Sequence, residues 1–200
     1  MVGHELDVSD RAAVDRLAQT ITTQESVNVV VVASGTNLPQ RSLDRLSPDA
    51  WDMMLAVNLT GVYNVVHAFL DALRDTRGDV VLIGSVSGSW PDPSGVAYQA
   101  AKAGLLAFAR AAAFEEHVRG VRFTTVLPGV VDTPILDRRP EPPPPEVRAH
   151  MLAPEDVAAA CLFAVTLPPR AYVPELTLLP TALQAVGKTN VPSPEPPPDW

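Results

Sequence analysis

Residues 78–102 read GDVVLIGSVSGSWPDPSGVAYQAAK. Gly78–Ser85 (GDVVLIGS) reads as a strand buried on both faces, for its centre, Val80–Ile83, is short, apolar and rich in β-branched residues. It breaks at Gly84-Ser85, passes through a loop of small residues and prolines, and resumes at Val96 in an alanine-rich helical pattern that lasts to about His117. A strand, a loop and a long returning helix form part of a β-α-β unit, so the stretch points to a parallel sheet.

The same pattern recurs on either side. Val27–Ala33 (VNVVVVA) and Val121–Leu127 (VRFTTVL) read as buried strands, and Glu175–Leu179 (ELTLL) as a shorter one. Helical patterns lie between them. Ser9 is placed to cap a helix from Asp10 to about Ile21. Ser47-Pro48-Asp49 supplies a cap, a first-turn proline and a first-turn acid for a helix running to about Asp75. Pro154-Glu155-Asp156 starts another, to about Val165. The fold class is therefore α/β, a doubly wound parallel sheet, with a single domain over residues 1–190. Arg138–Glu146 (RRPEPPPPE) is expected to be an exposed loop, since proline fixes φ and lacks an N–H. Residues 191–200 (VPSPEPPPDW) are expected to form a disordered tail.

Composition excludes several functions. A net charge of −8 without a basic cluster argues against a nucleic-acid surface. Cys161 is the only cysteine, so no intramolecular disulfide or cysteine zinc site can form, which fits a reducing cytoplasm. The four histidines lack metal-ligand spacing, so no metal is expected. The sequence shows no uninterrupted apolar run near the ~20 residues of a membrane span, and its first residues do not form a signal peptide.

In open α/β sheets ligands bind beyond the carboxyl ends of the strands. The loops at Ser34–Asn37, Ser85–Gly95 and Pro128–Thr133 should lie there. Ser85 ends a strand and should face that crevice. Tyr98 and Lys102 stand four residues apart and share one helix face. An ammonium near a phenol favours the phenolate, so this pair is expected to have a tyrosine of lowered pKa that exchanges a proton with a carbonyl or alcohol oxygen. Asn58 and Gly61 are poor residues for a helix interior and suggest a local distortion. Asp92 shows no acid/base partner in the sequence.

This ordered set resembles the short-chain dehydrogenase/reductase family, over roughly residues 5–186. Asn58, Ser85, Tyr98 and Lys102 match its four catalytic positions. Asp7-Val8 resembles the pair that contacts adenine, and Pro128–Pro134 (PGVVDTP) resembles the loop that holds the nicotinamide. The resemblance implies a Rossmann-like fold, NAD or NADP as cofactor, and a small carbonyl or alcohol substrate. It implies Tyr98 as general acid/base, Lys102 as the group that lowers its pKa and binds the ribose, and Ser85 as a donor to the substrate oxygen. It implies that Asn58 holds a water relaying protons to Lys102. Asp7, Val8, Ala33, Gly35, Tyr98, Lys102, Pro128, Gly129, Val131 and Thr133 would bind cofactor. A homodimer or homotetramer built through the two long helices is also implied.

Two departures stand out. The family's glycine-rich strand-turn-helix is missing, as though the first two β-α units were absent, and the strand at Val27–Ala33 is therefore expected at an exposed apolar edge. The family's Asn-Asn-Ala-Gly is replaced by Val32-Ala33-Ser34-Gly35. Two rival readings follow: a non-catalytic module of the same descent, and a lyase or epimerase using Tyr98 as base.

Overall fold

The computed structural model describes residues 2–183. The proline-rich stretch 191–200 lies outside them. The elements, in chain order, are α1 (Arg11–Thr22), β1 (Val29–Val32), α2 (Pro48–Leu55), a π-helical turn (Ala56–Thr60), α3 (Gly61–Thr76), β2 (Asp79–Ile83), α4 (Val96–Glu116), β3 (Arg122–Pro128), α5 (Pro145–Arg148), α6 (Pro154–Val165) and β4 (Glu175–Leu178).

The four strands form one parallel sheet in the order β1-β2-β3-β4. Its two faces are covered by different helices, as period-2 alternation requires. Val80 and Leu82 point into a core with Val62, Val66, Leu73, Leu105 and Phe123, beneath α3 and α4. Val81 points the other way, into a second core with Val126 and Ala160 under α6. The parallel α/β architecture is as the sequence indicates.

Strand β1 is the edge of the sheet among the described residues. Val30 and Val32 are buried against α3, whereas Val29 and Val31 are 40% and 49% exposed on the opposite face. This is the apolar edge expected from the sequence.

Three local expectations need correction. The cap of α1 is Asp10, whose carboxylate accepts from the Ala13 N–H at 3.1 Å, because the Ser9 hydroxyl is already given to Asp7 at 2.7 Å. The proline run 138–146 ends in a single helical turn, α5, since proline is tolerated at a first helical position. The continuous helix Pro48–Thr76 is also long and apolar enough, by length and composition, to cross a membrane. Here its apolar side packs on the sheet, with Val62, Val66 and Leu73 in the core.

Candidate active site

The loops that follow β1, β2 and β3 converge at the carboxyl end of the sheet. Gly84 allows this at the end of β2: a Cβ there would meet Leu127 and Thr125 side chains at 2.8 and 2.9 Å. Ser85 comes next and is buried. Its Oγ donates to Ser87 Oγ at 3.1 Å and accepts from the Ser87 N–H at the same distance.

Helix α4 then brings Tyr98 and Lys102 alongside. Lys102 Nζ lies 5.7 Å from the Tyr98 ring centroid and donates to the Ile83 carbonyl at 2.8 Å. Lys102 is almost wholly buried, which lowers its pKa to about 8. The Tyr98 pKa is raised, chiefly by burial; the Ser85 hydroxyl pulls it down, the Asp92 carboxylate pushes it up, and the Arg139 guanidinium pulls it down. This corrects the expectation of a lowered tyrosine pKa. Both groups are drawn out of water, so each charged form is penalised.

Asn58 sits in the π turn that the sequence suggested, wholly buried. Its Oδ1 accepts from the Thr36 N–H at 3.0 Å, and its Nδ2 donates to the Thr36 carbonyl at 3.1 Å and to the Met54 carbonyl at 2.9 Å. Both ends of the amide are thus engaged by backbone. Gly35 packs over this group: a Cβ there would lie 3.2 Å from Asn58 Oδ1 and 3.8 Å from Lys102 Nζ. Gly35 and Ala33 are exposed.

Past β3, Pro128 is buried, and the Gly129 N–H bonds the Leu178 carbonyl of β4 at 2.8 Å. Val131 forms a parallel bridge with Leu152, and Thr133 precedes a 3-10 turn at Pro134–Arg138. Asp7 and Val8 lie elsewhere, against the start of α3. A Cβ on Gly61 would meet Val8 Cγ2 at 2.6 Å, and Asn64 Nδ2 donates to the Val8 carbonyl at 3.0 Å. The Asp7 carboxylate is exposed and accepts from the Ser9 hydroxyl and N–H, which lower its pKa.

Several residues at the site were not singled out by the sequence. Asn37 is buried and donates from Nδ2 to the Ser94 carbonyl at 3.0 Å, tying the β1 loop to the β2 loop. Asp92 takes the Ser87 hydroxyl on Oδ2 and the Ser94 N–H on Oδ1, at 2.8 Å for the latter. Its Pro91-Asp92-Pro93-Ser94 setting is an Asx-turn signature that could have revealed it. Arg139 is half-buried beside this group. No cluster of histidine, cysteine or acidic residues suited to a metal occurs among the described residues.

For the nicotinamide dinucleotide implied by the resemblance, the residues present fit one end. Buried Lys102 has a single protein acceptor and further N–H donors to offer, and the nearby Ser34 hydroxyl is buried without a partner. No glycine-rich strand-to-helix turn for a pyrophosphate stands among the described residues.

Known proteins resemble this chain in sequence and in fold. Residues 1–143 match the family model described as short chain dehydrogenase. The (3R)-3-hydroxyacyl-CoA dehydrogenase of Canis lupus familiaris is 35% identical over 167 residues, covering 80% of this chain and 64% of that protein. The chain thus spans somewhat under two thirds of that relative's length. An alcohol dehydrogenase from Thermococcus sibiricus, complexed with 5-hydroxy-NADP, superposes with a TM-score of 0.79 at 31% identity, over 90% of this chain and 75% of that one. A closed serine dehydrogenase complexed with NADP+ gives a TM-score of 0.82 at 27% identity, over 96% and 80% of the two chains.

Proposed function

Because this chain belongs to the short-chain dehydrogenase/reductase family, we propose that it interconverts a carbonyl and an alcohol, with Tyr98 as the general acid/base. The observation that supports this most directly is the buried cluster in which the Lys102 ammonium lies 5.7 Å from the Tyr98 ring, with Ser85 at the end of the adjoining strand.

A nicotinamide dinucleotide, NAD or NADP, supplies or accepts the hydride when bound. Lys102, Ala33, Gly35, Pro128, Gly129, Val131 and Thr133 would hold its nicotinamide end, and Asp7 and Val8 its adenine end. The chain's own groups manage the oxygen. In the reducing direction the Ser85 and Tyr98 hydroxyls donate to the substrate oxygen, and Tyr98 gives up its proton as charge builds there. The Lys102 ammonium then stabilises the phenolate left behind. A raised tyrosine pKa suits the role of acid near neutral pH and makes the reverse reaction depend on alkali.

Asn58 is a positioning residue in this reading. Its amide holds Thr36, so the loop carrying Gly35 is fixed over Lys102. Assembly into dimers or tetramers through the long helices and a cytoplasmic location belong to the same proposal. The exposed Phe114 on α4 and the single cysteine support them.

The experiment is direct. The full chain is incubated with NADH or NADPH and a panel of short ketones, following absorbance at the nicotinamide band and thermal shift. Cofactor consumption that Tyr98→Phe abolishes is the expected result. If neither cofactor is consumed or shifts the melting temperature, the reading fails.

A further inference from the structure

Five arginines are half-buried among the described residues: Arg41, Arg74, Arg122, Arg139 and Arg148. Three are neutralised by carboxylates. Arg74 pairs with Glu116 at 2.6 Å, Arg122 with Asp79 at 2.7 Å, and Arg148 with Asp132 at 3.2 Å and with Asp137. The remaining two, Arg41 and Arg139, form no ion pair within 4.0 Å among the described residues. Arg139 lies close enough to Tyr98 and to Arg41 to act on the charge of each.

Their placement follows from the loops. Arg41 leaves the β1 loop and packs on Gly95, three residues before Tyr98. A Cβ on Gly95 would meet Arg41 Cβ at 2.6 Å and its carbonyl oxygen at 2.7 Å, and Gly95 has a φ of +95°. Arg139 ends the 3-10 turn after β3, where its neighbour Arg138 donates to the Thr36 hydroxyl. Burial lowers the pKa of both guanidinium groups, Asp92 opposes the shift in each, and Arg139 acts on both Arg41 and Tyr98. Asp92 forms no ion pair with either within 4.0 Å; its carboxylate accepts from Ser87 and Ser94. An unpaired charge drawn out of water is costly, and a ligand anion relieves it.

Resting on the carbonyl-alcohol reading above, we propose that the substrate carries a carboxylate, held by Arg41 and Arg139, and is an oxo acid or hydroxy acid whose reacting oxygen meets Ser85 and Tyr98. Neither guanidinium has a carboxylate partner within 4.0 Å among the described residues, and a substrate carboxylate supplies one. The forked guanidinium is also the side chain best shaped for a carboxylate.

The test uses the full chain with 2-oxo-, 3-oxo- and 4-oxopentanoate, their methyl esters and inorganic phosphate. Binding is followed by ligand-observed NMR and thermal shift, without cofactor. At least one acid is expected to bind roughly tenfold to a hundredfold more tightly than its ester and than phosphate. Arg139→Gln and Arg41→Gln should each collapse that acid-to-ester ratio, and the melting temperature without ligand verifies that each variant is folded. Acid and ester binding alike, or a ratio that survives in folded variants of both arginines, overturns the proposal. Tighter binding of phosphate than of every acid also overturns it. Failure of the enzymatic reading looks different: the acid binds selectively, but no nicotinamide cofactor is consumed.

Discussion

The side-chain amide of Asn58 grips both backbone polar groups of Thr36, taking the N–H at 3.0 Å and giving a proton to the carbonyl at 3.1 Å. A buried amide thus plays the part of a strand neighbour for one residue of the β1 loop. Asn58→Ala strands three backbone partners, Thr36 N–H, Thr36 C=O and Met54 C=O. The expected loss is about 3 kcal/mol of stability, read by urea denaturation. A change below ~0.5 kcal/mol would mean that the loop does not depend on this grip.

Tyr98→Phe should leave the fold intact and lower turnover by at least roughly a hundredfold, because it removes only the proton donor. In the parent protein, alcohol oxidation should accelerate as pH rises into the alkaline range. The raised Tyr98 pKa keeps the phenolate scarce at neutrality. Ketone reduction should vary little near neutral pH. An oxidation rate that is already at its maximum at pH 7 would count against Tyr98 as the base.

Lys102 links stability to pH. Its pKa falls from 10.5 to about 8 on folding. Between those values the unfolded chain holds a proton that the native chain has released, so stability rises with pH across this window. Below about pH 8 both states hold the proton, and the burial penalty of about 3 kcal/mol is fully present. Lys102→Met should therefore show its greatest gain over the parent at pH 7 and lose that advantage by pH 10. Denaturant titrations at the two pH values test this, and an equal difference at both rules it out.

Gly88 lies against the backbone of α4, where a Cβ would sit 2.7 Å from the Lys102 carbonyl oxygen and 2.8 Å from its carbon. Backbone cannot step aside as a side chain can. Gly88→Ala should cost about 1–3 kcal/mol. Gly3→Ala meets nothing within 4 Å and should be neutral. Melting temperatures of the two variants make the comparison, and equal values would show that the helix yields.

The sequence made the sheet legible because parallel strands buried on both faces leave continuous apolar runs. β1, β2 and β4 fall within the runs at Val27, Gly78 and Glu175, and β3 overruns the one at Val121 by a single residue, Pro128. Helix α6 begins at Pro154, where its proline and acids indicated. The distortion at Asn58 was legible because asparagine and glycine disfavour a helix interior. The electrostatics were not. A four-residue spacing shows that Tyr98 and Lys102 share a face, but the depth of both in the molecule, which sets their pKa values, depends on loops from three strands. Arg41 and Arg139 were hidden for the same reason: they come from separate loops, and no local pattern joins them.

The π turn at Ala56–Thr60 has a mechanical consequence. One surplus residue in a helix advances everything beyond it by about 100°. Upstream of the turn, Met54 supplies a carbonyl to the grip on the β1 loop; downstream, Val62, Val66 and Leu73 face the sheet. The surplus residue works as a phase shifter between these two engagements. Deleting a single residue there would restore a regular helix and swing the downstream apolar stripe away from the sheet, so that the grip and the core could no longer both be satisfied by one rod.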